Sequence, residues 1–381
     1  MKYHHWLLTL TLLLLSTVSV AEQSKYQQWK EQRQKNYESF SAEYLQRYQS
    51  YKGKIEQQWG NGSELSGKDT YVVYSDDLTQ KTVVDFSSQE IRVEVLADKN
   101  NSSTALMQQQ ALALVSKPIA QLAASDPLLK GINNNETRSL AQALLPDLAN
   151  GAPLPTGNVT TEEISIDVKP AATPNKKLSA ELADATKKRV TRVTIRMDGK
   201  NLYQRRALQY KENVQKQAQQ YELNAALLLA IMQVESSFNP LAQSPVPAFG
   251  LMQIVPESAG KDVNNRVFKR KQPPNAEQLF KPDENIMFGS AYVNILDKTY
   301  LSGITNPTSR LYCIIAAYNT GAGNVATVFH PSRQKRLVEA IAVINMLSSD
   351  EVYQRLISDL PYEETRKYLQ NVLSAIPQYE I

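Results

Sequence analysis

The chain has 381 residues, 42% of them hydrophobic, which is enough to bury a sizeable core and to make two domains. A formal charge of +4 is too slight over that length to argue for nucleic-acid binding. With three histidines and a single cysteine, Cys313, the chain lacks the ligands of a Cys/His zinc site and closes no internal disulfide.

Lys2 precedes the apolar run Leu7 to Leu15, and Ser19-Val20-Ala21 offers small residues at the cleavage positions. Residues 1–21 therefore read as a secretory signal peptide, with the mature, exported protein beginning near Glu22 in the periplasm. A membrane anchor is the competing reading, but the run falls well short of the roughly 20 residues that span a bilayer. Cys313 is far from the signal, so no lipid-accepting cysteine follows the cleavage site and no lipid anchor is evident, and peripheral association with the outer membrane or cell wall stays open. Cleavage also removes His4 and His5, so a Ser-His-Asp triad would have to rest on His330 alone. No GxxxxGK[ST] or GxGxxG motif supports nucleotide binding. No metal or cofactor is expected, and carboxylates are the remaining candidates for chemistry.

From Gln23 to about Gln58, Tyr37, Phe40, Tyr44, Tyr48, Tyr51 and Ile55 recur in steps of three or four, which predicts one long amphipathic helix. Its aromatic stripe either packs on its own domain or stacks on sugar or a partner. Three β-rich runs, Tyr71–Tyr74, Thr82–Phe86 and Ile91–Leu96, together with the alternating Val190–Ile195, predict a small antiparallel sheet. Residues 105–123 read as helix, whereas 146–176, with five prolines among Gly, Asn and Thr, read as irregular. From about Leu202 the pattern is helical to the C-terminus. The expected architecture is an N-terminal α+β domain, 22–198, followed by a mainly helical domain, 199–381.

Asn224 caps a predicted helix through Ala225–Glu235, and Asn239-Pro240 stops it. Such a helix, apolar on nearly all sides, is a buried one. Glu235 follows Met232 by three residues, Ile231 by four and Leu228 by seven, so its carboxyl shares a face with large apolar side chains. Desolvation there raises a carboxyl pKa, as a general acid working near neutral pH requires. The alternatives are a Glu paired with an Arg, or one emerging into solvent at the helix end.

Four blocks follow one another in order, beginning with this helix end. Glu235-Ser236-Ser237-Phe238-Asn239-Pro240, Gly250-Leu251-Met252-Gln253 with Pro256, Ala317-Tyr318-Asn319-Thr320-Gly321-Ala322-Gly323, and Glu364-Thr365-Arg366-Lys367-Tyr368 together resemble the lytic transglycosylases with a goose-lysozyme-like catalytic domain. Asn306-Pro307-Thr308-Ser309-Arg310 and Gly260-Lys261-Asp262-Val263 are similar to the membrane-bound lytic murein transglycosylase C branch. That branch is usually lipid-anchored, and the anchoring cysteine is absent here.

The resemblance implies a lysozyme-like fold for the second domain and a non-catalytic first domain, free to grip glycan or to recruit other cell-wall enzymes. It implies peptidoglycan glycan strands as substrate, with Glu235 as the catalytic acid. Gln253, Met252, Tyr318, Asn319, Glu364 and Tyr368 are expected at the substrate, although Met252 also suits packing. Ser236 is expected to tie the helix end to a loop, Gly250 to allow a close backbone approach, and Gly321 and Gly323 to permit a tight turn. Taken alone, the Gly250–Gln253 segment fits a buried turn as well as a binding strand, and Tyr318-Asn319 fits helix-end packing. Glu364 fits a salt bridge to Arg366 as well as a sugar contact. Cys313 reads as a buried thiol and His330 as a surface residue.

Overall fold

Among the described residues, five strands make one sheet with helices around it. The protein is seen here as a computed structural model that describes residues 43–96, 103–129, 132, 134–146, 158–168, 187–197, 201–245 and 247–380. The expected signal peptide, and Tyr37 and Phe40 of the expected first helix, lie outside the described residues. Residues 43–49 are helical. Residues 50–381 form one compact unit.

That unit opens with helix at 50–59, which buries Ile55 and Trp59 against Val72, Tyr74, Val83, Leu96, Ile166 and Val190. These six come from a five-stranded antiparallel sheet of strands β1 (Thr70–Tyr74), β2 (Gln80–Asp85), β3 (Glu90–Leu96), β4 (Asn158–Asp167) and β5 (Lys187–Arg196). The order across the sheet is β1-β2-β3-β5-β4. The registers Val72↔Val83 and Val93↔Val193 set β-branched residues opposite each other in the buried layers. A second buried feature is ionic: Lys81 and Glu94 are 2.9 Å apart, and Arg92 and Arg192 close on the same Glu94 carboxyl.

Strand β4 corrects the expectation of an irregular 146–176. It pairs with β5 along its full length but only on one side, and most of its side chains face outward. Thr160, Thr161, Glu162 and Glu163 therefore dilute the Val159, Ile164, Ile166 pattern that marks a buried strand. The expected helix at 105–123 is two, Thr104–Val115 and Ile119–Ser125, with Pro118 at the break.

From Leu202 onward the chain is helical, as its periodicity predicts. The helix Glu363–Ala375 packs on both Ala225–Ser236 and Pro307–Thr320, bringing the first, third and fourth sequence blocks to one place. Arg206 joins this part to the sheet. Fully buried, its guanidinium donates to the carbonyl oxygens of Leu144 (3.0 Å), Phe86 (2.5 Å) and Ser237 (3.4 Å). Burial pulls its pKa down to about 10.

Cys313 is a buried free thiol, pushed upward in pKa by burial. His330, expected at the surface, is buried: it ends the Ala322–Phe329 helix, and its Nδ1 accepts the Ser332 N–H at 3.0 Å. Among the described residues no helix is long and apolar enough to cross a membrane.

Candidate active site

The helix Ala225–Ser236 starts where Asn224 accepts the N–H groups of Ala226 (2.7 Å) and Leu227 (3.4 Å). It ends abruptly, because Ser237 and Phe238 both take left-handed backbone, with φ of 51° and 64°. Glu235 therefore sits on the last turn, its helix buried behind it and its own side chain half-buried at the wall of a cleft of about 490 Å³.

Each sequence block is stitched to another at this cleft. Ser236, fully buried, donates its hydroxyl to Leu251 O at 2.8 Å and to Met232 O at 3.0 Å, tying the helix end to the Gly250–Gln253 segment. Tyr318 donates to Met252 O at 2.9 Å, and Thr365 donates to Asn319 Oδ1 at 2.7 Å. Glu235, Gln253, Tyr318, Asn319, Glu364 and Tyr368 all line the cleft. Glu364 makes no ion pair among the described residues, since Arg366 turns instead to the carbonyl of Leu360.

Met252 belongs to the core rather than the cleft. Its side chain is fully buried against Gly289, where a Cβ would fall 2.2 Å from the Met252 sulfur. Gly250, with φ of 74°, makes its close approach inside the protein as well, since a Cβ there would meet Leu279 O at 2.3 Å and Asn285 Nδ2 at 2.5 Å. Gly321, with φ of 84°, makes the turn between the two helices of its block, and Gly323 lies within the second of them, beside Lys335.

The Glu235 carboxyl is held up to about a pKa of 7, chiefly because burial penalises its charged form. The Tyr368 hydroxyl and the Lys68 ammonium pull the other way, whereas Glu364 and Asp69 add to the rise. The Tyr368 hydroxyl is buried without a well-formed hydrogen-bond partner among the described residues and has the Glu235 carboxyl as its charged neighbour. A carboxylic acid protonated near neutral pH, open to a cleft and backed by apolar packing, can deliver a proton to a bound group.

Sequence reasoning missed Lys68, Gln243 and Asn285. Lys68 and Gln243 line the cleft from opposite sides of a contact in which Gln243 N–H donates to Gly67 O at 3.3 Å. Asn285 shapes the Gln253 loop from behind, accepting Met252 N–H at 2.7 Å and donating to Phe249 O and Leu279 O. None has a local pattern that would mark it; a lone polar residue in a helix such as Pro282–Ile295 acquires its role only by packing.

Two family models match the chain: the transglycosylase SLT domain over residues 212–339, and the N-terminal domain of membrane-bound lytic murein transglycosylase C over residues 33–115. Membrane-bound lytic murein transglycosylase C of Pectobacterium atrosepticum is 35% identical over 335 residues, covering 86% of this chain and 88% of that protein. Its counterpart from Yersinia pestis is 46% identical over 187 residues, 49% of this chain and 51% of that one. The 70 kDa soluble lytic transglycosylase of Escherichia coli is 26% identical over 45% of this chain and 24% of that chain, with a TM-score of 0.34. The chain belongs to the lytic transglycosylases, a family of lyases, and within it to the membrane-bound lytic murein transglycosylase C branch.

Proposed function

We propose that the protein is an exported lytic transglycosylase that cleaves the β-1,4 bond between N-acetylmuramic acid and N-acetylglucosamine in peptidoglycan and leaves 1,6-anhydromuramic ends. The observation that carries this reading is Glu235, an acid held up to about pKa 7 at the wall of a cleft. The names of the two relatives above, both lytic murein transglycosylases, supply the substrate class.

In this mechanism the protonated Glu235 gives its proton to the glycosidic oxygen, and the bond from that oxygen to the muramic C1 breaks. The 2-acetamido oxygen of the muramic residue closes on C1 as positive charge develops, in place of a second carboxylate. Glu235, now ionised, takes the proton of the muramic C6 hydroxyl, and the C6 oxygen displaces the acetamido oxygen from C1. No water is consumed and Glu235 ends protonated. Gln253 and Asn319 offer amides to the sugars, and Tyr368 orients the acid.

Glu364, which makes no ion pair among the described residues and lines the same cleft, favours one second reading: a two-carboxylate hydrolase with water as nucleophile. Glu235→Gln tests the shared core of both. The amide keeps the shape but has no proton to give, so turnover of purified sacculi falls by about 10²-fold or more while glycan is still retained. Substantial residual cleavage would remove Glu235 from the role.

A further inference from the structure

Three successive residues before strand β1 are each tied to the segment that follows the Glu235 helix. Gly67 O accepts the Gln243 N–H at 3.3 Å, Lys68 O accepts Asn239 Nδ2 at 3.3 Å, and Asp69 Oδ1 accepts the Ser237 hydroxyl at 2.8 Å. Asn239 is fully buried, so this anchoring is internal to the fold. The backbone of the loop is thereby fixed beside the cleft, and the Lys68 side chain, exposed, becomes part of its lining.

That ammonium makes no ion pair among the described residues, whereas Asp69 is already engaged with Ser237. A cation beside a general acid opposes the protonated form, and Lys68 does pull the Glu235 carboxyl downward. Its placement thus works against the acid it faces. A built loop that holds a positive charge there points to another anion, one that arrives with the ligand.

We propose that Lys68 is a specificity residue: its ammonium binds a carboxylate of the peptide stem carried by the muramic residue, so that the sheet region reads the peptide while the helical region cleaves the glycan. This inference rests on the reading of peptidoglycan as substrate. The glycan backbone itself offers hydroxyls and acetamides, and the free carboxylates of the polymer lie on its peptides. An exposed ion pair of this kind discriminates by roughly two- to fivefold.

The experiment compares two preparations of soluble glycan strands, one with native stem peptides and one whose stem carboxylates have been converted to primary amides. The wild type shows a kcat/KM higher by that factor on the native strands, Lys68→Met brings the ratio close to one, and Lys68→Arg keeps most of the preference. Equal losses by Lys68→Met on both preparations, or no preference in the wild type, would overturn the proposal and leave Lys68 as a modulator of Glu235. Retention of the two preparations by Glu235→Gln and by Glu235→Gln/Lys68→Met is measured alongside. If the wild type cleaves neither preparation, the lytic reading fails, and this retention ratio still decides the carboxylate anchor.

Discussion

The hydroxyl of Ser236 donates to the carbonyl oxygen of Leu251 at 2.8 Å, so the residue next to Glu235 is pinned to the loop that presents Gln253 to the cleft. The bond is fully buried, which makes it a positioning device as well as a stabilising one. Ser236→Ala strands the Leu251 carbonyl, at about 1–3 kcal/mol. Thermal unfolding should show that loss, together with a several-fold drop in turnover from the loosened loop. An unchanged melting temperature and rate would show that the loop holds without it.

The pH dependence of turnover follows from the acid. In the proposed mechanism Glu235 must be protonated to act, and its carboxyl is held up to a pKa of about 7, so kcat/KM is expected to decline as the pH rises through that value. Because the Tyr368 hydroxyl lowers this pKa, Tyr368→Phe moves the decline to higher pH while reducing the maximum rate. A decline shifted to lower pH in that variant would contradict the contact.

The same shift is a statement about stability. The folded state holds the Glu235 proton up to about pH 7, whereas the unfolded chain releases it near 4.5, so folding stability contributed by this group is present below pH 4.5 and lost as the pH rises to 7. Glu235→Gln removes the titration. Urea unfolding should find the variant more stable than the wild type above pH 7, by about 3 kcal/mol as a ceiling, with no such gain near pH 4. A gain at pH 4 as large as that at pH 8 would show that burial of the charge is not its origin.

Arg206 and Asp69 predict how the C-terminal region behaves alone. A fragment of residues 199–381 keeps Arg206 but loses the Phe86 and Leu144 carbonyls that accept from it, and Ser237 loses Asp69. A cation that keeps only the Ser237 carbonyl of its three acceptors is unfavourable wherever it stays buried. Circular dichroism melting should find the fragment less stable than the full chain by several kcal/mol. A fragment that melts like the intact protein would mean that these contacts contribute little.

Much of the helical region is legible in the sequence because its signals are local. Asn224 ahead of an apolar run announces a buried helix, and the position of Glu235 three, four and seven residues after Met232, Ile231 and Leu228 announces its desolvation. Strands β1, β2 and β3 are legible as β-rich runs and β5 by its alternation, whereas β4 lies at the edge and is mostly exposed, so it shows little pattern. Met252 could not be told from a cleft residue, since the space that takes its side chain is made by Gly289, in another helix. Lys68 and Arg206 act across long stretches of chain, and a single charge carries no periodicity to reveal its partners.

The central claim is that the muramic C6 hydroxyl, and not water, closes the reaction. Mass spectrometry of the soluble products from purified sacculi tests it directly. Wild-type products about 18 Da lighter than their hydrolytic counterparts are expected, the mass of the one water that intramolecular attack leaves out. Products of full hydrolytic mass, absent with Glu235→Gln, would contradict it and make Glu235 the acid of a muramidase.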